Sequence, residues 1–179
     1  EVIVTAQKRE ESIQDAPISI IALSSAALEN RGIDGLTDLH ADVPGLTMTP
    51  HPNSGATVRV TMRGIGQAND QITYDPKVAI YVDGVYMARF PGLAAEVAEL
   101  ERIEVLRGPQ GTLYGRNTTG GAINFISKAP QLGEFGFRQD LTTGNRNRIH
   151  ARTRVNIPLG DEFAAELSFM RLREDGFIR

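Results

Sequence analysis

Residues 106–124 read L-R-G-P-Q-G-T-L-Y-G-R-N-T-T-G-G-A-I-N, and this glycine-dense stretch constrains the fold more than any other part of the chain. Its five glycines, Gly108, Gly111, Gly115, Gly120 and Gly121, allow positive φ or close backbone approach, and Pro109 fixes φ and removes a donor. The stretch is a shaped loop. Before it, residues 102–107 alternate with Ile103 and Val105 on one face; after it, residues 122–126 are β-prone, which predicts strand, structured loop, strand.

A phosphate-binding loop would end in Gly-Lys-Ser/Thr or carry spaced glycines that open a helix. Here Arg116 and Asn117 follow Gly115, and Gly121 opens a strand-like run. A tight structural crossing packed against a wall suits these residues better.

Residues 101–128, with Tyr81-Val82-Asp83-Gly84-Val85-Tyr86 and Met62-Arg63-Gly64 before them, resemble the plug domain of TonB-dependent outer-membrane receptors. Several uncommon strings agree in order and spacing across roughly residues 1–130, so the resemblance is specific for family, though silent on cargo. It implies an α+β plug domain, a small mixed sheet with short helices, followed by the first antiparallel strands of a transmembrane β-barrel. The expected division is 1–11 for an N-terminal segment, 12–130 for the plug and 131–179 for barrel strands.

The resemblance also assigns roles. Glu1, Val2, Ile3, Val4, Thr5 and Ala6 form a β-prone run followed by charged residues, and in the family a segment in this place is the Ton box. It pairs as an added strand with the periplasmic partner TonB, a mode in which main-chain hydrogen bonds supply the affinity. An ordinary first strand of the fold is the alternative. Arginines of the family's Met-Arg-Gly and Leu-Arg-Gly strings pair with barrel glutamates, and the matching residues are Arg63 and Arg107; internal pairing with Glu101 or Glu104 is the alternative.

Cargo contacts in the family come from plug apices, which correspond to loops near residues 49–54, 66–75 and 86–91. Gln67, Asn69, Tyr74, Tyr86, Arg89 and Phe90 supply donors, acceptors and aromatic faces suited to a polar chelate or a sugar. The implied function is active import of a scarce nutrient across the cell outer membrane, with the plug gating the barrel and no cofactor. A ferric siderophore is the commonest cargo of such receptors; others carry oligosaccharides, cobalamin or other small molecules.

Along the chain, residues 17–23 are β-prone, and Ser24 or Ser25 can cap a short helix that Gly32 closes. Asp34 can cap a second helix over 35–42, ended by Val43-Pro44-Gly45. Residues 57–62 alternate as a half-buried strand, 64–76 read as a polar loop, and Asp83-Gly84 marks a hairpin between 78–82 and 85–88. Residues 91–100 read as a short helix.

Beyond a linker at 129–133, three alternating segments follow at 134–143, 148–157 and 163–172. In the middle one Ile149, Ala151, Thr153, Val155 and Ile157 share one face, and Arg148, His150, Arg152, Arg154 and Asn156 the other. About ten residues is the length of a tilted membrane-spanning strand, and apolar-out, polar-in alternation suits a water-lined barrel. Three strands close no barrel, whereas transporters of this type use about 22. The chain is expected to be a fragment whose last strand presents an open edge.

Composition narrows what else the chain can do. A net charge of −3 without a long basic run argues against nucleic acid, no cysteine is present, and no apolar run is long enough for a membrane helix. Glu96, Glu99, Glu101 and Glu104 crowd together, but Arg102, Arg107 and Arg116 make ion pairing the more economical account than acid–base catalysis. His40, His51 and His150 lack metal-ligand spacing, and no Gly-x-Ser-x-Gly elbow occurs. Catalytic and metal sites are therefore not expected. A soluble periplasmic binding module and an enzyme using the glycine loop or the clustered carboxylates remain as competing readings.

Overall fold

The computed structural model describes residues 3–5, 8–9, 11–33, 36–51, 54–66, 75–87 and 100–176. The expected cap at Asp34 and all but Leu100 of the helix expected over 91–100 lie outside them, and Leu100 opens a strand instead. The chain divides into two compact units, Glu1–Ser127 and Lys128–Arg179.

In the first unit β1 (Ile3–Val4) pairs antiparallel with β2 (Glu11–Ser12). The next strand, β3 (Ile20–Ser24), runs into α1 (Ser25–Asn30), whose first turn is capped by the Ser24 hydroxyl accepting from Ala27 N–H. Gly32, at φ 63°, ends that turn as expected. The second predicted helix is a tight 3-10 helix, Leu36–Ala41, with Leu39 fully buried; six residues ahead of Val43-Pro44-Gly45 leave little room for a regular α-helix.

A strand absent from the sequence reading, β4 (Leu46–His51), pairs with β5 (Ser54–Met62), and β6 (Ile65–Gly66) completes a three-stranded antiparallel sheet. The expected cargo loop at 49–54 is thus mostly hairpin: Thr49 and Pro50 lie opposite Arg59 and Val58, and His51 opposite Ser54. Pro50 sits on β4, an edge strand with a register shift next to it, which is where a sheet tolerates proline.

β7 (Val78–Val82) and β8 (Val85–Tyr86) form the predicted hairpin, turning on Asp83 and Gly84 at φ 48° and 79°. β9 (Leu100–Arg107) leads into the glycine stretch. That stretch is not all loop, because α2 (Gly111–Tyr114) occupies its tip before β10 (Gly121–Ser127) returns. The five-stranded sheet has the order β3-β9-β10-β7-β8 and is mixed, with β10 parallel to β7 and the other pairs antiparallel.

Backbone bonds from Gly108 N to Gly120 O and from Gln110 N to Thr118 O extend the β9–β10 hairpin toward α2. Gly121 shows why glycine is required at the crossing: at φ 149°, an added Cβ would stand 2.3 Å from the Leu106 carbonyl oxygen and 2.4 Å from Met62 Sδ. A wall does stand behind the loop.

One face of the sheet, through Leu23, Ile103, Val105, Ile123, Phe125 and Ile80, packs with α1, the 3-10 helix and the β4–β5 hairpin into the main core. Each such side chain contributes about 1.5–3 kcal/mol on burial. The other face carries Ala79, Tyr81, Leu106 and Ala122 as a smaller cluster. Residues 103–106 are consequently all buried, and the one-faced alternation expected around Ile103 and Val105 becomes a strand covered on both sides.

The second unit is an antiparallel sheet of β11 (Gly136–Gly144), β12 (Arg148–Pro158) and β13 (Ala164–Arg173), within a residue or two of the predicted segments. Its faces are those predicted. Phe137, Leu141, Val155, Leu167 and Phe169 share one, and all but the half-buried Val155 are exposed, Phe169 at 67%. On the opposite, polar face His150 and Asn156 are buried, at 5% and 4%.

Candidate functional site

Residues 3–5 of the N-terminal segment are docked. β1 uses one edge on β2, Val4 is fully buried, and the Thr5 carbonyl accepts from Lys8 N–H at 2.8 Å. Thr5 N–H donates to Glu104 Oε1 at 2.8 Å, and its hydroxyl donates to the same oxygen at 3.2 Å.

Glu104 is fully buried in β9, the neighbour of both β3 and β10. A charge taken out of water must be matched by donors, and Arg102 Nε supplies another, at 2.9 Å. The same guanidinium reaches Thr5 Oγ1 at 3.2 Å through Nη2 and pairs with Glu101 through Nη1. One arginine therefore pairs with both carboxylates, Glu101 and Glu104. Glu96 and Glu99 lie outside the described residues.

Glu104 belongs to a transverse row. Cross-strand partners place Ala22, Glu104, Asn124, Tyr81 and Tyr86 side by side on one face of the sheet. Asn124 Nδ2 donates to Glu104 Oε2 at 3.4 Å and to the Tyr114 hydroxyl at 2.9 Å. Tyr81 donates its hydroxyl to the Tyr114 carbonyl at 2.7 Å, and its ring lies 5.1 Å from that of Tyr114 and 5.6 Å from that of Tyr86.

Burial pushes both the Tyr81 and Tyr114 hydroxyls above their ordinary value, with Tyr86 adding to the first and Glu104 and Tyr81 to the second against a smaller opposing effect of Asn124. Both remain protonated at neutral pH. Lys8 Nζ stands 5.8 Å over the Tyr114 ring. A continuous set of contacts thus joins Thr5 to Tyr86 through the middle of the sheet.

Sequence reasoning expected Glu104 to ion-pair with nearby arginines, and Arg102 does pair with it, but the burial of Glu104 and its bonds to Thr5 were missed. The signal was its position: a glutamate within Ile103-Glu104-Val105-Leu106, where neither face offers a wet side.

Arg63 and Arg107 come together at another corner. Arg63 forms the β5–β6 turn with Gly64, at φ 50° and 79°. Its Nη2 donates to Ser19 Oγ at 3.0 Å, its Nη1 would lie 3.8 Å from a Cβ on Gly108, and Arg107 N–H donates to Ser19 O at 2.9 Å. Arg107 Nε is buried with no hydrogen-bond partner among the described residues. Glu101 and Glu104, the expected internal alternatives, both pair with Arg102.

Of the cargo candidates, Gln67, Asn69, Tyr74, Arg89 and Phe90 lie outside the described residues, as do Glu1, Val2 and Ala6 of the N-terminal segment. Tyr86 is half-buried in β8, its hydroxyl accepting from Asn117 Nδ2 at 2.8 Å. His40, His51 and His150 fall on three separate elements, and no metal-holding group of acidic and histidine side chains occurs among the described residues.

Comparison with known proteins places these features. The family model of the TonB-dependent Receptor Plug Domain matches residues 12–122. The chain is 31% identical over 180 residues to the pesticin receptor of Yersinia pestis, covering 97% of this chain and 25% of that protein. It is 36% identical over 178 residues to the iron-regulated outer membrane virulence protein of Vibrio cholerae, covering 92% and 26%. Among solved structures it is similar to the ferric yersiniabactin uptake receptor FyuA from Yersinia pestis, with a TM-score of 0.79 at 26% identity over 90% of this chain and 25% of that one. The chain spans about a quarter of the length of these relatives.

Proposed function

Because this chain belongs to the TonB-dependent receptor plug family, we propose that it supplies the plug and the first barrel strands of an importer in the cell outer membrane. The observation that carries the reading is the sheet β11–β13 that follows the plug. Its apolar face points outward and its polar face is the more buried, as expected for strands between lipid and a hydrated lumen. A soluble sheet would bury Phe137, Leu167 and Phe169.

In this reading residues 1–11 carry the Ton box, 12–130 form the plug and 131–179 enter the barrel wall. Cargo binds at plug apices that include Gln67, Asn69, Tyr74, Tyr86, Arg89 and Phe90. The bound state frees residues 1–6, TonB pairs with them as an added strand, and force displaces the plug. Arg63 and Arg107 hold the plug by pairing with barrel carboxylates, bonds strong enough to lock and still breakable; Arg107 Nε, without a partner among the described residues, supports that role.

The cargo is a ferric siderophore, a reading supported by relatives named for ferric yersiniabactin uptake and iron regulation. The protein performs no chemistry on it. Deleting residues 1–6 from the full-length receptor is expected to abolish energised uptake while cells still bind ferric siderophore. Uptake that survives the deletion would sink the Ton-box assignment, and loss of binding together with uptake would mean that the segment is structural.

A further inference from the structure

We propose that Glu104 is a latch: a positioning residue that holds residues 3–5 on the plug sheet and sets how much of the N-terminal segment is available to a partner strand. The inference rests on reading that segment as the partner-binding strand.

Strand addition needs free main-chain donors and acceptors. In the docked state Thr5 N–H is taken by Glu104 and Thr5 C=O by Lys8, while β1 is paired with β2. Partner and latch therefore compete for the same atoms. The hold is charge-assisted, since Glu104 Oε1 accepts two bonds from Thr5 as well as one from Arg102 Nε. Asn124 Nδ2 steadies the second carboxylate oxygen, so the side chain is fixed from both ends.

Val4 supplies the other half of the hold, being fully buried while its neighbour Ile3 is 53% exposed. Two residues of β1 pairing and one buried valine are little to keep such a short segment in place. A buried carboxylate bonded to the next residue supplies the missing restraint. A partner sees only the released fraction, so its apparent affinity falls in proportion to the docked population.

The chain has no cysteine, so a single thiol introduced into it is a clean reporter once any cysteine elsewhere in the full-length receptor is replaced by serine. Val4→Cys in the full-length receptor, in outer-membrane vesicles, is expected to react slowly with a water-soluble maleimide, because the site opens only when the segment undocks. Adding Glu104→Ala should speed labelling about tenfold or more, from the loss of charge-assisted bonds, and the isosteric Glu104→Gln should fall between. Ile123→Cys, at a fully buried position of β10, should stay unreactive in both backgrounds.

Unchanged Val4→Cys labelling in both Glu104 variants overturns the latch. Simultaneous exposure of Ile123→Cys in both also overturns it, by assigning Glu104 to the stability of the sheet. Cross-linking to TonB separates the two readings. Faster labelling with increased cross-linking supports both, whereas faster labelling with no change in cross-linking keeps the latch and rejects the Ton-box assignment.

Discussion

Arg63 is one of several described non-glycine residues whose backbone conformation costs something. A two-residue β-hairpin turn with both φ positive favours Asn-Gly, yet the chain places arginine at φ 50° before Gly64. Non-glycine residues in this region cost on the order of 1 kcal/mol, and such strain collects where a side chain has a task. The guanidinium it projects lies at Ser19 and Gly108, beside the Arg107 strand end. Arg63→Asn is therefore expected to leave the plug as stable or to stabilise it by about 0.5–1 kcal/mol, while loosening its seat in the barrel. Thermal unfolding of the receptor and leakage of a small antibiotic through the outer membrane check the two halves. A destabilised plug with no added leakage would show that Arg63 serves the turn and not the lock.

At the scale of elements, what could be read from the sequence follows from which forces are local. The Asp83-Gly84 hairpin, the Ser24 cap with its Gly32 stop, and the three alternating segments beyond residue 133 are written in neighbouring residues, and each is found within a residue or two. Strand β4 was missed because Pro50 reads as a loop until its edge position is known, and α2 because four residues carry no period. The Glu104–Thr5 bond joins residues 99 apart, a pairing that no local pattern announces. Asn156 is a smaller case: its side chain accepts from Gln131 N–H at 2.9 Å and donates to the carbonyls of Gln131 at 2.9 Å and Glu134 at 2.7 Å, tying the linker to β12. Asn156→Ala is expected to cost about 1–3 kcal/mol by stranding these groups, with amide exchange at Gln131 at least about tenfold faster. Protection at Gln131 equal to that of the parent would mean that the linker is held by something else.

For the whole molecule, the two units obey opposite solvent rules. Residues up to Ser127 bury leucine, isoleucine, valine and phenylalanine between layers, as a water-surrounded domain must, whereas β11–β13 turn Phe137, Leu141, Leu167 and Phe169 outward. An apolar face of that size is a liability in water and a requirement in lipid. The two environments make opposite predictions for one charge. Leu167 lies mid-strand opposite Val155 on the apolar face, and Thr142 lies opposite His150 on the polar one. If the face meets lipid, Leu167→Lys should cost about 2–4 kcal/mol near the bilayer midplane, and less toward its edges, and so reduce the fraction of receptor assembled in the outer membrane. Thr142→Lys, pointing to the lumen, should assemble as the parent does. If the unit instead lived in water, Leu167→Lys would raise solubility and yield by breaking an exposed apolar patch. Assembly measured by resistance of the folded barrel to unheated detergent separates the cases, because lipid and water reverse the sign of the same substitution.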